Sequence, residues 1–420
     1  MRRIRTLPDP KTVEIMVPGS KSYTHRMVVA AALSDGRCTI ANALDSEDTR
    51  LTLDTLQRWG VSVGMEGTSL TVFGAAGRLQ ASAEPIFLGN SGTSMRLLTA
   101  VAALAQGRSL LTGTDRLQAR PMRDLIETLG RLGVSAKSLG SNGCPPIEIE
   151  GGAVAGGGAE LDCSLSSQFL SALLLIGPYA RQGVEITVTR GPVSRPYIDI
   201  TLDAMRRFGV QVERRGYDWF KVAGGQCYRA GDHLVEADCS QAGYFWAAAA
   251  VTGSTVKVRR TAPNSCQGDA RLAEVLARMG CTVTAHPDGL AVTGGQLSGV
   301  EVDMGDMPDA VPTLAVVAAY AQGRTVIRGV GHLKEKESDR LAAVCSGLHR
   351  MGVQAVHDTE TLWIVGGSPR GAAIECHDDH RIAMSFAVAG LATPGVEILD
   401  ESCVRKSFPT FWDVFETLYR

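Results

Sequence analysis

Pro18 to Val63 reads PGSKSYTHRMVVAAALSDGRCTIANALDSEDTRLTLDTLQRWGVSV, and its punctuation decides the fold. A polar turn, Ser20-Lys21-Ser22, opens an apolar run from Met27 to Leu33 that has no polar face. Asp35-Gly36 stops the run, and Cys38-Thr39-Ile40 is a short strand-forming stretch. Ser46-Glu47-Asp48 then starts a second helix, with Leu51, Leu56 and Trp59 on one face and Leu53 offset. Gly60 supplies the left-handed residue that ends it. A helix that is apolar all round belongs inside a domain, and a one-faced helix belongs outside it.

The same grammar returns five times. Apolar runs recur as LLTAVAALA from Leu97, FLSALLLIG from Phe169, YFWAAAAV from Tyr244, LAVVAAYA from Leu314 and IAMSFAVAG from Ile382. The second helix of copy two repeats the stripe with Leu125, Ile126, Leu129 and Leu132. Closing glycines at 60, 133, 209, 280 and 352 are spaced by 73, 76, 71 and 72 residues. That period exceeds the usual solenoid repeats, so each copy is a unit of two helices and three or four strands. Six copies divide as three plus three, with a joint near Gly231 to Ala237. The strand VEIMVPG, Val13 to Gly19, precedes copy one, and pattern alone does not place it.

Length and composition limit the rest. The 420 residues suit two or three domains, and 42 basic against 44 acidic residues give a net charge of -2. No whole-chain basic field for nucleic acid is expected. Phe169 to Ile176 and Tyr244 to Val251 are too short to span a bilayer, and the basic N-terminus has no apolar run of the secretory kind. The ten cysteines show neither CxxC pairs nor zinc spacing, so reduced cytoplasmic thiols are expected, with no metal. A thiol nucleophile lacks an evident His partner. His233, His286, His349 and His357 read as surface residues.

Chemistry concentrates at the turn entering each buried helix. These turns offer Lys21, Ser22 and Arg26; Asn90, Ser91, Gly92, Thr93 and Arg96; Ser166, Ser167 and Gln168; Asp309; and Asp379, His380 and Arg381. Second-helix entrances add Arg120, Ser194, Arg195, Tyr197, Lys336, Glu337, Arg340 and Lys406. Helix N-termini attract phosphate and carboxylate, and the cations strengthen that attraction. The pattern therefore suits small substrates bearing several negative charges. Blander roles exist beside these: Asp309 as a helix cap, Arg340 paired with Glu337 on a solvated helix start, and His380 as a core hydrogen-bonder. Gly89 to Thr93 lacks the GxxxxGK[ST] pattern, which disfavours a P-loop ATPase.

The motifs PGSKSxTxR at Pro18, LDSEDT at Leu44, LGNSGTSMR at Leu88, RP at Arg120, SSQ at Ser166 and SRPYIDIT at Ser194 occur in order. MPDAxPT at Met307, KESDR at Lys336, DDHRIAMS at Asp378 and KSFPTFW at Lys406 follow them. Across essentially the whole chain this resembles the 5-enolpyruvylshikimate-3-phosphate synthase family. The resemblance implies an α/β fold, a two-domain inside-out α/β barrel of six βαβαββ units with buried helices. It divides the chain into residues 20–235 and residues 1–19 plus 236–420, with the active site in the interdomain cleft.

The implied reaction moves the enolpyruvyl group of phosphoenolpyruvate to the 5-hydroxyl of shikimate 3-phosphate, without cofactor or metal, in a cytoplasmic monomer. By resemblance Lys21, Asn90, Gly92, Thr93, Arg120, Gln168, Arg340, Arg381 and Lys406 surround phosphoenolpyruvate. Lys21, Ser22, Arg26, Ser166, Ser167, Gln168, Ser194, Tyr197, Asp309, His332 and Lys336 hold shikimate 3-phosphate. Asp309 takes the hydroxyl proton, and Glu337, with Lys21 or Lys406, serves proton exchange at C3. His332 and Lys334 stand where many relatives have Asn and Arg, and Leu97 stands where several have Pro. Gly92 is retained, which implies sensitivity to glyphosate. UDP-N-acetylglucosamine enolpyruvyl transferase, the alternative on this fold, would show a cysteine in the loop that here reads TDRLQARP. Another enolpyruvyl transferase acting on a related cyclohexene alcohol is the remaining alternative.

Overall fold

A computed structural model describes residues 1–140, 143–261 and 264–420; positions 262–263 of the fourth copy lie outside the described residues. The chain divides into two compact units, Gly19–Val235 and Met1–Pro18 with Glu236–Arg420. The all-round apolar runs form helices Lys21–Leu33, Gly92–Ala102, Gln168–Ile176, Cys239–Thr252, Val311–Ala318 and His380–Ala392. Twelve of the thirteen residues of Lys21–Leu33 are buried, which places the helix inside its unit. Alanine runs suit that position, because small side chains let neighbouring elements approach closely.

Five sheets share one plan. In the first, Asp232–Leu234 runs parallel to Arg37–Ala41, which pairs antiparallel with Ser69–Phe73, and Ser62–Glu66 takes the far edge. A parallel pair requires a crossover, and the buried helix is the element that precedes the second strand of such pairs. The first sheet takes its parallel strand from the end of its unit. The fourth copy takes Thr12–Ile15, which pairs with Thr255–Val258 from Thr12 opposite Thr255. Among the described residues the sixth sheet consists of Arg2–Arg3, Glu397–Ile398 and Ala373–Ile374.

The outer helices keep most of the expected stripe, with Leu53, Leu56, Trp59, Leu125, Leu129 and Leu132 buried, and depart from it at Leu51 and Ile126. In Glu47–Arg58 the buried face is Thr49, Thr52, Leu53, Thr55 and Leu56, while Leu51 is half-buried. Threonine hides from a hydrophobic pattern, yet its hydroxyl can be satisfied inside: Thr55 Oγ1 donates to the Leu51 carbonyl at 2.7 Å. His233 also departs from expectation. It is half-buried and stacked on Phe208 at 3.7 Å, and burial lowers its pKa.

All five closing glycines have positive φ, from +75° at Gly352 to +115° at Gly280. A Cβ on Gly60 meets nothing within 4 Å, whereas one on Gly280 meets the Gln296 carbonyl oxygen at 2.3 Å. Gly60→Ala should therefore cost only the left-handed backbone penalty, about 1–2 kcal/mol. Gly280→Ala should cost clearly more, and its thermal unfolding midpoint should lie below that of Gly60→Ala.

Candidate active site

Within Gly19–Val235 the first inner helix and the first outer helix bring a cation to a carboxylate. Lys21 opens its helix, capped by Ser20, and its Nζ donates to Asp48 Oδ2 at 3.1 Å. Asp48 lies in the first turn of a helix closed by a Ser46–Thr49 capping box. Arg26 is fully buried. Its guanidinium donates to Thr201 Oγ1, the Ser22 carbonyl and Ser171 Oγ, and burial lowers its pKa to about 10. It joins three helices, a placement that makes it part of the packing as well as a candidate binding group.

Gln168 is oriented from both ends. Its Oε1 accepts from Arg96 at 2.8 Å, and its Nε2 donates to Thr93 Oγ1 at 3.0 Å. Ser91 caps helix Gly92–Ala102 by accepting from the Ser94 amide. Arg120 lies directly over Gly92: an added Cβ would stand 2.4 Å from one guanidinium nitrogen. Ser167 donates to the Ser194 carbonyl, and Ser194 adopts φ +55° just before Tyr197, which is half-buried. Asn90 and Ser22 are half-buried on the same entering turns, and Ser166 Oγ accepts from the Gln168 amide.

The other unit carries a denser charge cluster. Arg340, only 1% exposed, donates to Asp379 at 2.8 Å, Asp309 at 2.8 Å and Glu337 at 2.7 Å. Burial opposes its charge, but Asp379, Glu337 and Asp309 together raise its pKa. Asp309 uses its second oxygen to accept from Arg381 at 2.8 Å. It lies in the 3-10 turn Pro308–Ala310 and makes no side-chain cap, so the capping role is not seen. The pairing of Arg340 with Glu337 exists, though on a buried arginine shared by three carboxylates and not on a solvated surface.

Arg381 also donates to Tyr244 Oη at 3.0 Å, and its Nε is buried with no hydrogen-bond partner among the described residues. Burial disfavours its charge, and Asp309, Tyr244, Asp238 and Asp269 raise its pKa despite that. Asp379 caps helix His380–Ala392 through the Arg381 amide and accepts from Ser338 Oγ. His380 is fully buried, Lys406 is buried in the turn Ser402–Lys406, and Lys336 is half-buried. Burial, aided by Lys336 and Arg340, lowers the pKa of His332 to about 3, so its imidazole is neutral near pH 7.

Asp48, Tyr244 and Asp269 were missed as site residues. Asp48 is visible within LDSEDT, and Tyr244 follows the Asp238-Cys239-Ser240 entrance of the fourth buried helix. Among the described residues no group of three or more His, Cys, Asp and Glu side chains is placed to hold a metal ion. No helix among them is long and apolar enough to cross a membrane.

Arginines buried among carboxylates in one unit, and cations on helix entrances in the other, are groups of the kind that bind anions. The family profile of EPSP synthase (3-phosphoshikimate 1-carboxyvinyltransferase) matches residues 7–415. The chain belongs to the EPSP synthase family. A 3-phosphoshikimate 1-carboxyvinyltransferase of Methanoculleus marisnigri is 45% identical over 406 residues, covering 96% of each chain. One from Escherichia coli O6:H1 is 41% identical over 97% of this chain and 95% of its own. The EPSP synthase structure from Acinetobacter baumannii superposes with a TM-score of 0.84 at 30% identity, covering 99% and 97% of the two chains. The enolpyruvyl transferase NikO from Streptomyces tendae gives 0.78 at 19% identity over 99% and 96%, a likeness of fold.

Asp269 yields a pH prediction. Burial first, then Asp309, raises its pKa from 3.8 to about 7, against the opposing pull of Arg381. Between those values the folded chain holds a proton that the unfolded chain releases, so stability falls as pH rises from about 4 to 7. Asp269→Asn removes this dependence. Its unfolding midpoint, relative to wild type, should be more favourable at pH 8 than at pH 5.

Proposed function

We propose that this chain transfers the enolpyruvyl group of phosphoenolpyruvate to the 5-hydroxyl of shikimate 3-phosphate, giving 5-enolpyruvylshikimate 3-phosphate and phosphate on the route to aromatic amino acids. The observation that carries the mechanism is the arrangement Glu337–Arg340–Asp309–Arg381, which holds two carboxylates beside fixed cations. Identity of 40% or more with chains named 3-phosphoshikimate 1-carboxyvinyltransferase supports this acceptor over a related cyclohexene alcohol or UDP-N-acetylglucosamine. The proposed working form is a cytoplasmic monomer.

Phosphoenolpyruvate brings a phosphate and a carboxylate. Lys21, Arg120, Arg340, Arg381 and Lys406 are assigned to supply charge for them; Asn90, Gly92, Thr93 and Gln168 are assigned to the same ligand. The free donor of Arg381 suits one of these anions. Shikimate 3-phosphate is assigned to Ser22, Arg26, Ser166, Ser167, Ser194, Tyr197, His332 and Lys336, with Lys21 and Gln168 shared. C3 of phosphoenolpyruvate gains a proton, C2 becomes cation-like, and the 5-hydroxyl attacks C2 while Asp309 receives its proton. Loss of a methyl proton then expels phosphate from the tetrahedral ketal. Glu337, with Lys21 or Lys406, handles the C3 proton; it accepts from Arg340 at 2.7 Å, which fixes its position. Both arginine-bound carboxylates are oriented before reaction, which is where positioning lowers the barrier.

Phosphate release with phosphoenolpyruvate and each acceptor tests the assignment: shikimate 3-phosphate should support it, and shikimate or UDP-N-acetylglucosamine should not. Asp309→Asn and Glu337→Gln should each lower turnover by about a hundredfold or more. Normal turnover in both would remove them from proton transfer.

Gly92→Ala should weaken glyphosate and phosphoenolpyruvate together, because its methyl displaces the Arg120 guanidinium. Inhibition assays would show a higher glyphosate concentration for half-inhibition and a higher KM.

His332, neutral in this environment, acts as a hydrogen-bonding stand-in for an amide. His332→Asn should keep the KM for shikimate 3-phosphate parallel to wild type from pH 6 to 8. A wild-type advantage that grows toward pH 6 would instead reveal an imidazolium.

A further inference from the structure

Lys406 ends the short turn Ser402–Lys406, and a side chain outside every motif of the sequence holds the backbone just beyond it. Gln241, in the first turn of helix Cys239–Thr252, donates from Nε2 to the Ser407 carbonyl at 2.6 Å. Both residues are 1% exposed. The start of the Lys406 turn is held separately: Asp400 accepts from the Ser402 amide and hydroxyl, and Trp412 Nε1 donates to the Glu401 carbonyl at 2.9 Å. Gln241 fastens the other end. Four residues along its helix, Phe245 meets Phe408 edge-on with ring centroids 6.3 Å apart, so one helix face grips Ser407 and Phe408 together.

The anchor itself is rigid. Asp238 caps the helix through the Gln241 amide at 3.1 Å, Gln267 Oε1 accepts from the Cys239 amide at 3.1 Å, and Asp269 accepts from Ser240 Oγ at 2.5 Å. Three consecutive residues of the first turn are thus tied before the Gln241 side chain reaches out.

Stability does not account for an amide at this place. Gln241 Oε1 is buried with no hydrogen-bond partner among the described residues, so the cost of that acceptor offsets the bond made by Nε2. Methionine, similar in length and flexibility, would fill the space without burying a polar group. What the amide adds is direction: it fixes the peptide that follows Ser407, and through it the residue before. We propose that Gln241 is a positioning residue for Lys406, setting where the ammonium stands through the Ser407 carbonyl. The effect on turnover rests on the enolpyruvyl-transfer reading; the tie between helix and turn does not.

The test compares wild type with Gln241→Met by thermal unfolding, by hydrogen exchange in peptides covering residues 402–408, and by phosphate release. The unfolding midpoint should match or exceed that of wild type, which separates local from global effects. Exchange in residues 402–408 should quicken about fivefold or more. Turnover should fall about tenfold, with the KM for shikimate 3-phosphate unchanged, because Lys406 is assigned to the other substrate. In a Lys406→Arg background, where the cation has a different reach, the same change should cost less than about twofold. Gln241→Leu replaces Gln241→Met if the latter lowers the midpoint. Unchanged exchange in residues 402–408 would overturn the tie. Faster exchange with unchanged turnover, or an equal loss with and without Lys406→Arg, would overturn the positioning role. Exchange needs no substrate, so a chain inactive on shikimate 3-phosphate would lose the enzymatic reading and still report on the tie.

Discussion

Arg340 is the interaction on which the candidate site depends. Its guanidinium is withdrawn from water, a transfer that costs several kcal/mol unless nearby charges offset it. The compensation comes from three places in the chain: Asp309 before the fifth buried helix, Glu337 three residues upstream, and Asp379 at the cap of the sixth. One buried cation thus ties two repeats together at their charged ends. Losing it would strand three carboxylates, and losing Asp379 would also uncap helix His380–Ala392. Folding and function therefore share the same contacts here.

That coupling has a consequence for catalysis. Arg340 and Arg381 are positioned by carboxylates of the protein, so their geometry does not wait for substrate to organise it. Asp309 bridges them with one oxygen each. Held between two guanidinium groups, Asp309 has a fixed position, and the proton-transfer role proposed for it draws on that placement. Tyr244, donated by the fourth buried helix, fixes the far side of Arg381 without adding negative charge.

Much of the fold was legible because its signals are local. A helix with no polar face can only be buried, and a glycine at the end of each outer helix marks a backbone that turns left-handed. Pairing of Thr12–Ile15 with Thr255–Val258 carried no such signal, since its partner is some 240 residues away and any exposed strand edge would satisfy its pattern. The threonine face of Glu47–Arg58 was obscured for another reason: hydropathy counts the hydroxyl and not the backbone carbonyl that satisfies it.

The candidate site divides along the same line. Cations at helix entrances were readable because helix ends and basic side chains both declare a preference for anions. Apart from Glu337 with Arg340, the pairing of their carboxylates was not, because an aspartate in sequence looks equally suited to a cap, a surface ion pair or a buried cluster. Asp48, Asp309, Asp379 and Asp269 illustrate the range: the first holds a lysine, the second bridges two arginines, and the third both caps and pairs. Asp269 is the outlier, since its hydroxyl contact from Ser240 satisfies one oxygen while burial and Asp309 disfavour its charge. Within one cluster, then, some carboxylates are tied to guanidinium groups, while burial and a neighbouring carboxylate raise the pKa of Asp269. Partner and not residue type sets what each aspartate does, and only the folded chain specifies the partner.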